Sequence, residues 1–280
     1  MNPYLITGPA LISFSGGRTS GYMLHEILRA HGGRFPDDVI VAFANTGKER
    51  EETLRFVHDC GLNWGVHIHW VEWRSGIPGF EQVGFNSASR NGEPFSALIA
   101  KKSRLPNGHE RWCTEYLKVK PIFALMRHQL SLDPGSYEEI IGLRYDEGMR
   151  IFRGMDRAAK DGRCVSYPLS KAKVVKSTVS DFWAAQPFYL DLEPWEGNCD
   201  LCFQKGKGIR KRIIRDHPNS PDWWAREEAR VGGQFDQRDS VSGLVEQVRS
   251  APMLWETFAE TFDDGMEHDV ECGLHCGEPA

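Results

Sequence analysis

The chain contains no stretch approaching the roughly 20 apolar residues that a membrane span requires, and no basic start followed by an apolar run at its N-terminus. Those absences predict a cytoplasmic protein with no membrane partner. Positive charge is not in excess either. The 34 lysines and arginines face 39 aspartates and glutamates, a formal net charge of −5, so no global basic field announces a nucleic-acid partner. There is no clear internal repeat. The seven cysteines (60, 113, 164, 199, 202, 272 and 276) would stay reduced in a cytoplasm. They are read as candidates for metal or redox chemistry rather than disulfides.

What is present is globular. With 280 residues, 40% hydrophobic and 26% charged, the chain has room for one large α/β domain or a domain plus an appendage. Residues 10–15 read as a buried strand. A helix follows from Thr19, with Met23, Leu24, Ile27 and Leu28 at helical spacing and Gly32-Gly33 at its end. Residues 39–44 form a continuous apolar run, as in a strand covered on both faces. The next helix carries Leu54 and Val57 and is expected to stop near Gly61. Residues 66–73 alternate as a third strand, 75–112 read as loop, and Pro121 is placed in the first turn of a helix running to about residue 132. Further strands are expected over 137–142 and 164–169, and a helix over 177–186. Strands alternating with helices predict parallel βαβ units and a doubly wound, mainly parallel, Rossmann-like sheet. Residues 1–192 would form the α/β domain, and 193–280 a cysteine-containing appendage on its ligand edge.

Ligands of such sheets gather at the carboxyl ends of the strands, where three motifs fall. In Ser15-Gly16-Gly17-Arg18-Thr19-Ser20, two glycines permit a sharp turn between a strand and a helix, and the helix start aims N–H groups at one point. Hydroxyls of Ser15, Thr19 and Ser20 and the Arg18 guanidinium add anion contacts, so a phosphate is the expected guest. Asn45-Thr46-Gly47 follows the second strand. Gly142-Leu-Arg144 follows the fourth, and Arg144 with Arg150 could clamp phosphate or sulfate. Cys199-Asp-Leu-Cys202 has a spacing that lets two thiolates reach one metal or cluster, with Cys113 as a third ligand. Cys272 and Cys276 lie near the terminus. Iron–sulfur, zinc and a dithiol redox pair all fit these thiols, while Cys60 and Cys164 read as core residues.

Taken in order, these residues carry a resemblance. Ser15–Ser20 resembles the PP-loop of the adenine nucleotide α-hydrolase superfamily. Together with 45–53, 113–121, 142–150 and Cys199-x-x-Cys202, it occurs in the order seen in the phosphoadenosine phosphosulfate (PAPS) reductase family. Glu271-Cys272-Gly-Leu-His275 resembles that family's catalytic tail motif. The resemblance implies a fold of the adenine nucleotide α-hydrolase type, with a nucleotide (PAPS, adenosine phosphosulfate or ATP) across Ser15–Ser20. Adenosine would lie near Asn45 and Thr46, and oxyanions near Arg144. It further implies a 4Fe-4S cluster on Cys113, Cys199 and Cys202, with Cys272 as nucleophile and a thioredoxin-like reductant as partner. Two features depart from the family. Thr19 stands where the intact pyrophosphatase loop has an aspartate that bears on Mg²⁺, and Trp112 precedes Cys113 where the reductases have a second cysteine. A cluster would therefore need Cys272 or Cys276 as its fourth ligand, or would keep one open iron site.

The expected activity is reduction of a sulfonucleotide to sulfite. The nearly intact loop supports the alternative, an ATP pyrophosphatase that adenylates tRNA, DNA or a small molecule for sulfur transfer. For nucleic acid, the stretch 205–215 is basic, but it reads better as a solvated helix with Ile209, Ile213 and Ile214 turned inward. A nucleotide-binding protein with a structural zinc is the non-enzymatic alternative.

Overall fold

A computed structural model of the chain describes residues 2–197 and 199–250. A six-stranded sheet in the order β4-β3-β2-β1-β5-β6 organises it. In chain order, β1 (Ala10–Ser13), α1 (Arg18–Ala30), β2 (Val39–Ala44), α2 (Glu51–Trp64) and β3 (Ile68–Trp73) build one half. Then come β4 (Phe80–Val83), α3 (Glu93–Lys102) and α4 (Trp112–Thr114). A π-helical turn (Glu115–Val119) runs from there into α5 (Lys120–Leu130). The other half holds β5 (Glu138–Ile141), a 3₁₀ turn (Tyr145–Glu147), α6 (Gly148–Lys160), β6 (Cys164–Ser166), α7 (Pro168–Lys171) and α8 (Lys176–Ala184). The helices α9 (Lys207–Asp216), α10 (Pro221–Val231) and α11 (Val241–Ser250) follow. All strand pairs are parallel except β3 with β4.

Alternation along the strands feeds two cores. Ala10, Ile12, Val41 and Phe43 pack with Met23, Leu24 and Ile27 of α1, Leu54 and Val57 of α2, and Val179 and Trp183 of α8. Leu11, Ile40 and Ala42 point the other way, onto Ile122, Leu125 and Met126 of α5. Burying each of the Val, Leu, Ile, Phe and Met side chains among them contributes about 1.5–3 kcal/mol. A third core lies beside the sheet, where Phe95, Leu98 and Ile99 of α3 meet Leu201, Phe203, Ile209, Ile213, Trp223, Trp224 and Leu244.

Several sequence expectations need correction. The 75–112 stretch contains β4 and α3. Edge pairing with β3 makes a strand of the polar Phe-Glu-Gln-Val, and the third core makes a helix of 93–102. Gly61 does not stop α2, which continues to Trp64 and ends on Gly65 at φ 63°, a conformation glycine adopts without penalty. The strand expected over 164–169 ends at Ser166, where Tyr167-Pro168 turns into α7. As expected, Pro121 lies in the first turn of α5, which the π turn leads into directly. Cys60 is buried as expected, but Cys164 is exposed, because it opens the edge strand β6.

Candidate functional site

Strand β1 sits between β2 and β5. The chain steps outward from β1 to β2 and β3, then returns to lay β5 on the opposite side. The loops after β1 and β5 therefore part and leave a crevice, the switch point where open α/β sheets bind ligands. Two glycines shape its walls. Gly16 has φ 80°, and a Cβ there would fall 2.8 Å from Thr53 Cγ2 and 3.0 Å from Phe43 Cε2. A Cβ on Gly142 would fall 3.2 Å from Ser20 Cα, so glycine lets the end of β5 lie against α1.

Helix α1 starts after Gly17 with no side-chain cap. Its first-turn N–H groups have no acceptor within the helix, and with the helix dipole they make this end suited to an anion. Ser15 and Ser20 hydroxyls lie 2.8 Å apart, and Ser20 donates to Gly17 O at 3.0 Å. Arg144 is buried. Its Nη1 donates to Thr19 Oγ1 at 3.0 Å and its Nε to Asp146 at 2.9 Å, while its backbone N–H donates to the Glu147 carboxylate at 2.9 Å. Arg150 pairs with the same Glu147 carboxylate, so the two arginines share a counter-ion. Arg18 donates to Leu190 O at 2.7 Å and to Leu192 O, pinning the 190–192 segment to the loop.

The loop after β2 is held internally. Asn45 donates to Glu72 at 2.6 Å and to Ser89 O at 2.9 Å, and accepts from Gly47 N–H at 3.0 Å. Gly47 O in turn accepts from Gly92 N–H at 2.8 Å. These bonds give the Asn45 side chain the task of shaping the loop. Thr46 donates to Glu49 through both its backbone N–H and its hydroxyl, each at 2.8 Å, and its Oγ1 lies 3.6 Å from Cys199 Sγ. Glu49 pairs with Cys199 in an isolated antiparallel bridge. Ion pairs of Lys48 with Asp200 at 2.9 Å and Arg50 with Glu196 at 2.7 Å tie this loop to the CxxC segment.

Cys113, Cys199 and Cys202 line one cavity, together with Thr46, Arg111 and Lys118. The π turn swings Lys118 towards Glu49, at 3.6 Å. Glu49 Oε1 is buried and accepts no hydrogen bond among the described residues. Burial pushes the Cys199 thiol well above its usual pKa, Glu49 adds to the rise and Lys118 opposes it. Burial lowers Lys205 to about 8, and its ammonium donates to the Glu196 and Asp200 carbonyls at 3.1 and 3.3 Å. Lys205 and Arg210 are thus structural: Arg210 is buried against Asp236 at 2.5 Å. Ile209, Ile213 and Ile214 turn inward as expected. Among the described residues no group of three His, Cys, Asp or Glu is gathered closely enough to hold a single metal ion. No helix among them is long and apolar enough to cross a membrane.

The structure thus brings Ser15–Ser20, Gly142 and Arg144 to one crevice, and Cys113, Cys199 and Cys202 to one cavity, with Thr46 at the latter's wall. Cys272, Cys276 and the 271–275 motif lie outside the described residues. Sequence reasoning passed over Glu49 and Lys118. The sequence offered no clear signal, since a spacing of five from Cys113 to Lys118 falls on different faces of an α-helix, and the two line one cavity across the π turn.

No family model matches the chain. Similar proteins include the uncharacterized nin region protein ORF290 of Escherichia phage lambda, 28% identical over 203 residues, which are 70% of this chain and 66% of that protein. Another is the uncharacterized protein MJ0066 of Methanocaldococcus jannaschii, 28% identical over 155 residues, 55% of this chain and 25% of that protein. The chain therefore spans just under two thirds of the first relative's length and a quarter of the second's.

Proposed function

We propose that the chain is a PP-loop enzyme of the PAPS reductase family that binds an adenosine sulfonucleotide across the switch point and reduces its sulfur to sulfite. One observation carries the reading. Thr46 belongs both to the loop at the carboxyl end of β2 and to the wall of the cavity bordered by Cys113, Cys199 and Cys202. A nucleotide at the sheet's ligand edge would therefore lie beside the thiols.

In this reading the N–H groups of the α1 terminus hold the phosphate, and Arg144 orients Thr19 against it. The Cys272 thiolate attacks the sulfonyl sulfur. A sulfur–sulfur bond forms, the sulfur–oxygen bond to the nucleotide breaks, and the adenosine phosphate leaves with the electron pair. A thioredoxin-like dithiol then resolves the Cys272 S-sulfonate, becoming a disulfide as sulfite departs. Three thiols line the cavity, beside the hydroxyls of Thr46 and Thr114 and the Gln204 amide, with Arg111 and Lys118 there to balance negative charge. That fits an iron–sulfur cluster held by Cys113, Cys199 and Cys202, with Cys276 as the proposed fourth ligand. Such a cluster, when bound, supplies a polarising, redox-capable centre beside the nucleotide.

A second reading has its own support. The Gly16-Gly17 turn and the uncapped α1 terminus form a complete anion cradle, suited to the pyrophosphate of ATP with Mg²⁺ neutralising it. The enzyme would then adenylate a tRNA, DNA or small-molecule acceptor for sulfur transfer. Anaerobic purification with iron, sulfide and zinc assays, followed by ATP and PAPS binding, separates the readings. Sulfite release from PAPS or adenosine phosphosulfate with a thiol donor is expected. Its absence, together with acceptor-dependent pyrophosphate release from ATP, would replace the first reading with the second. Zinc without iron would make the thiols structural.

A further inference from the structure

Tyr145, in the turn after β5, and Met149, Phe152 and Met155 of α6 form one apolar stripe, 58%, 67%, 68% and 56% exposed respectively. The other exposed large apolar side chains among the described residues, Leu5, Leu62, Ile77 and Tyr189, stand singly. A contiguous exposed apolar patch marks a binding surface. Basic residues border this one. Arg153, Arg157 and Lys160 are exposed along the same helix. Tyr145 N–H donates to Val174 O at 2.8 Å, which brings the exposed Lys173 and Lys176 alongside the start of the stripe. Asp156 and Asp161 pair with Lys160 and Arg157, but such exposed pairs are worth little and yield to a stronger anion.

The charge is local. Residues 144–176 carry nine lysines and arginines against four aspartates and glutamates, a net of +5, while the rest of the chain carries 25 against 35, a net of −10. A second copy on this face would set +5 against +5, so the field calls for an anionic partner. Side chains three or four residues apart on a helix follow one another at about 5–6 Å. Bases stacked in a duplex lie about 3.4 Å apart along each strand, too close to match the stripe. A splayed single strand matches it better, with bases stacking on Tyr145 and Phe152 and meeting the methionine thioethers. Tyr145 directly follows Arg144, whose guanidinium reaches Thr19 across the crevice. A strand on the stripe therefore leads into the crevice, where a flat bilayer has no access.

We propose that the outer face of α6 binds single-stranded nucleic acid, its bases on Tyr145, Met149, Phe152 and Met155 and its phosphates on Arg153 and Arg157. As the place of an acceptor this rests on the second reading above; as a binding surface it does not.

Fluorescence anisotropy of the full chain tests it, with labelled oligouridine and oligodeoxythymidine of about 15 nucleotides and a duplex of the same length, in about 0.05 M salt. A single strand should bind at least about fivefold tighter than the duplex, and the RNA and DNA arms show which sugar is preferred. Phe152→Ala, at an exposed position, should weaken binding at least about fivefold, as for losing one stacked base, without changing the salt dependence. Arg153→Gln with Arg157→Gln should instead make the log–log salt slope shallower by about 1. No binding up to about 0.1 mM protein, the upper end for non-specific contacts, would overturn the proposal. So would equal affinity for duplex, indifference to both variants, or Phe152-dependent retention on phosphatidylserine vesicles in place of oligonucleotides. Pyrophosphate release from ATP, measured alongside, reports separately on the second reading: strand binding without release removes the acceptor role and leaves the surface.

Discussion

Arg144 and Thr19 are 125 residues apart in sequence, yet the Arg144 Nη1 donates to the Thr19 Oγ1 at 3.0 Å across the switch point of the sheet. The bond joins the loop after β5 to the first turn of α1. The Thr19 hydroxyl is thereby fixed by a buried guanidinium.

Replacing Arg144 by alanine removes this tether, leaves Asp146 without its guanidinium and leaves Glu147 with that of Arg150 alone. The expected loss is about 3 kcal/mol in urea unfolding, as for breaking a buried pair. ATP and PAPS affinity by calorimetry should fall at least about tenfold, as for losing a charge-assisted contact. Arg144→Lys should recover part of the stability but little of the affinity, because ammonium lacks the planar fork. Unchanged affinity in a destabilised Arg144→Ala protein would make the residue purely structural.

Gly16→Ala sets a Cβ 2.8 Å from Thr53 Cγ2 at φ 80°. It should cost about 2–4 kcal/mol, combining left-handed strain with overpacking. Gly33→Ala, at φ 88° with open space around it, should cost only about 1 kcal/mol. Thermal melts of the pair separate the two contributions, and nucleotide binding should weaken only in Gly16→Ala.

Serine at Cys113, Cys199 or Cys202 should remove most of the iron and the absorbance near about 400 nm expected of a thiolate-held cluster. Serine at the exposed Cys164 should leave both intact, as measured by metal analysis and visible spectra after anaerobic purification. Full iron retention in all three cavity variants would exclude the assignment.

Acid stability should depend on Asp236. Burial pushes its carboxyl up, but hydrogen bonds from Arg238 and the nearby Arg210 outweigh it and leave the pKa at about 2. A carboxyl depressed on folding contributes stability that is full above its unfolded pKa, near 4. That contribution is lost as pH falls towards about 2. Urea midpoints between about pH 5 and 2 should therefore fall less steeply in Asp236→Asn, which should also be less stable at pH 7. Parallel slopes in the two proteins would refute this linkage.

The half of the sheet built from β1, β2 and β3 was legible because its signals are local. A continuous run such as Val39–Ala44 has to be covered on both faces, and it is. The loop at 15–20 was legible for the same reason, since two glycines between a strand and a helix leave few other conformations. Strand β4 was not legible, because Glu81 and Gln82 are strand residues only by pairing with β3. The exposure of Cys164 likewise depends on β6 being an edge, which its neighbours in sequence do not encode.

By itself, then, the sequence determined the alternation of strands and helices, the glycine turn and the CxxC spacing, all fixed by steric and hydrophobic preferences within a few residues. Tertiary structure alone decided which side chains meet: Arg144 with Thr19, and Thr46 with Cys199, 153 residues away. It also decided that Asn45 is spent on Glu72 and Ser89, and that Arg18 holds the 190–192 carbonyls. The physical reason is that buried polar groups must find partners wherever the packed chain supplies them, and that supply is set by the order of strands in the sheet.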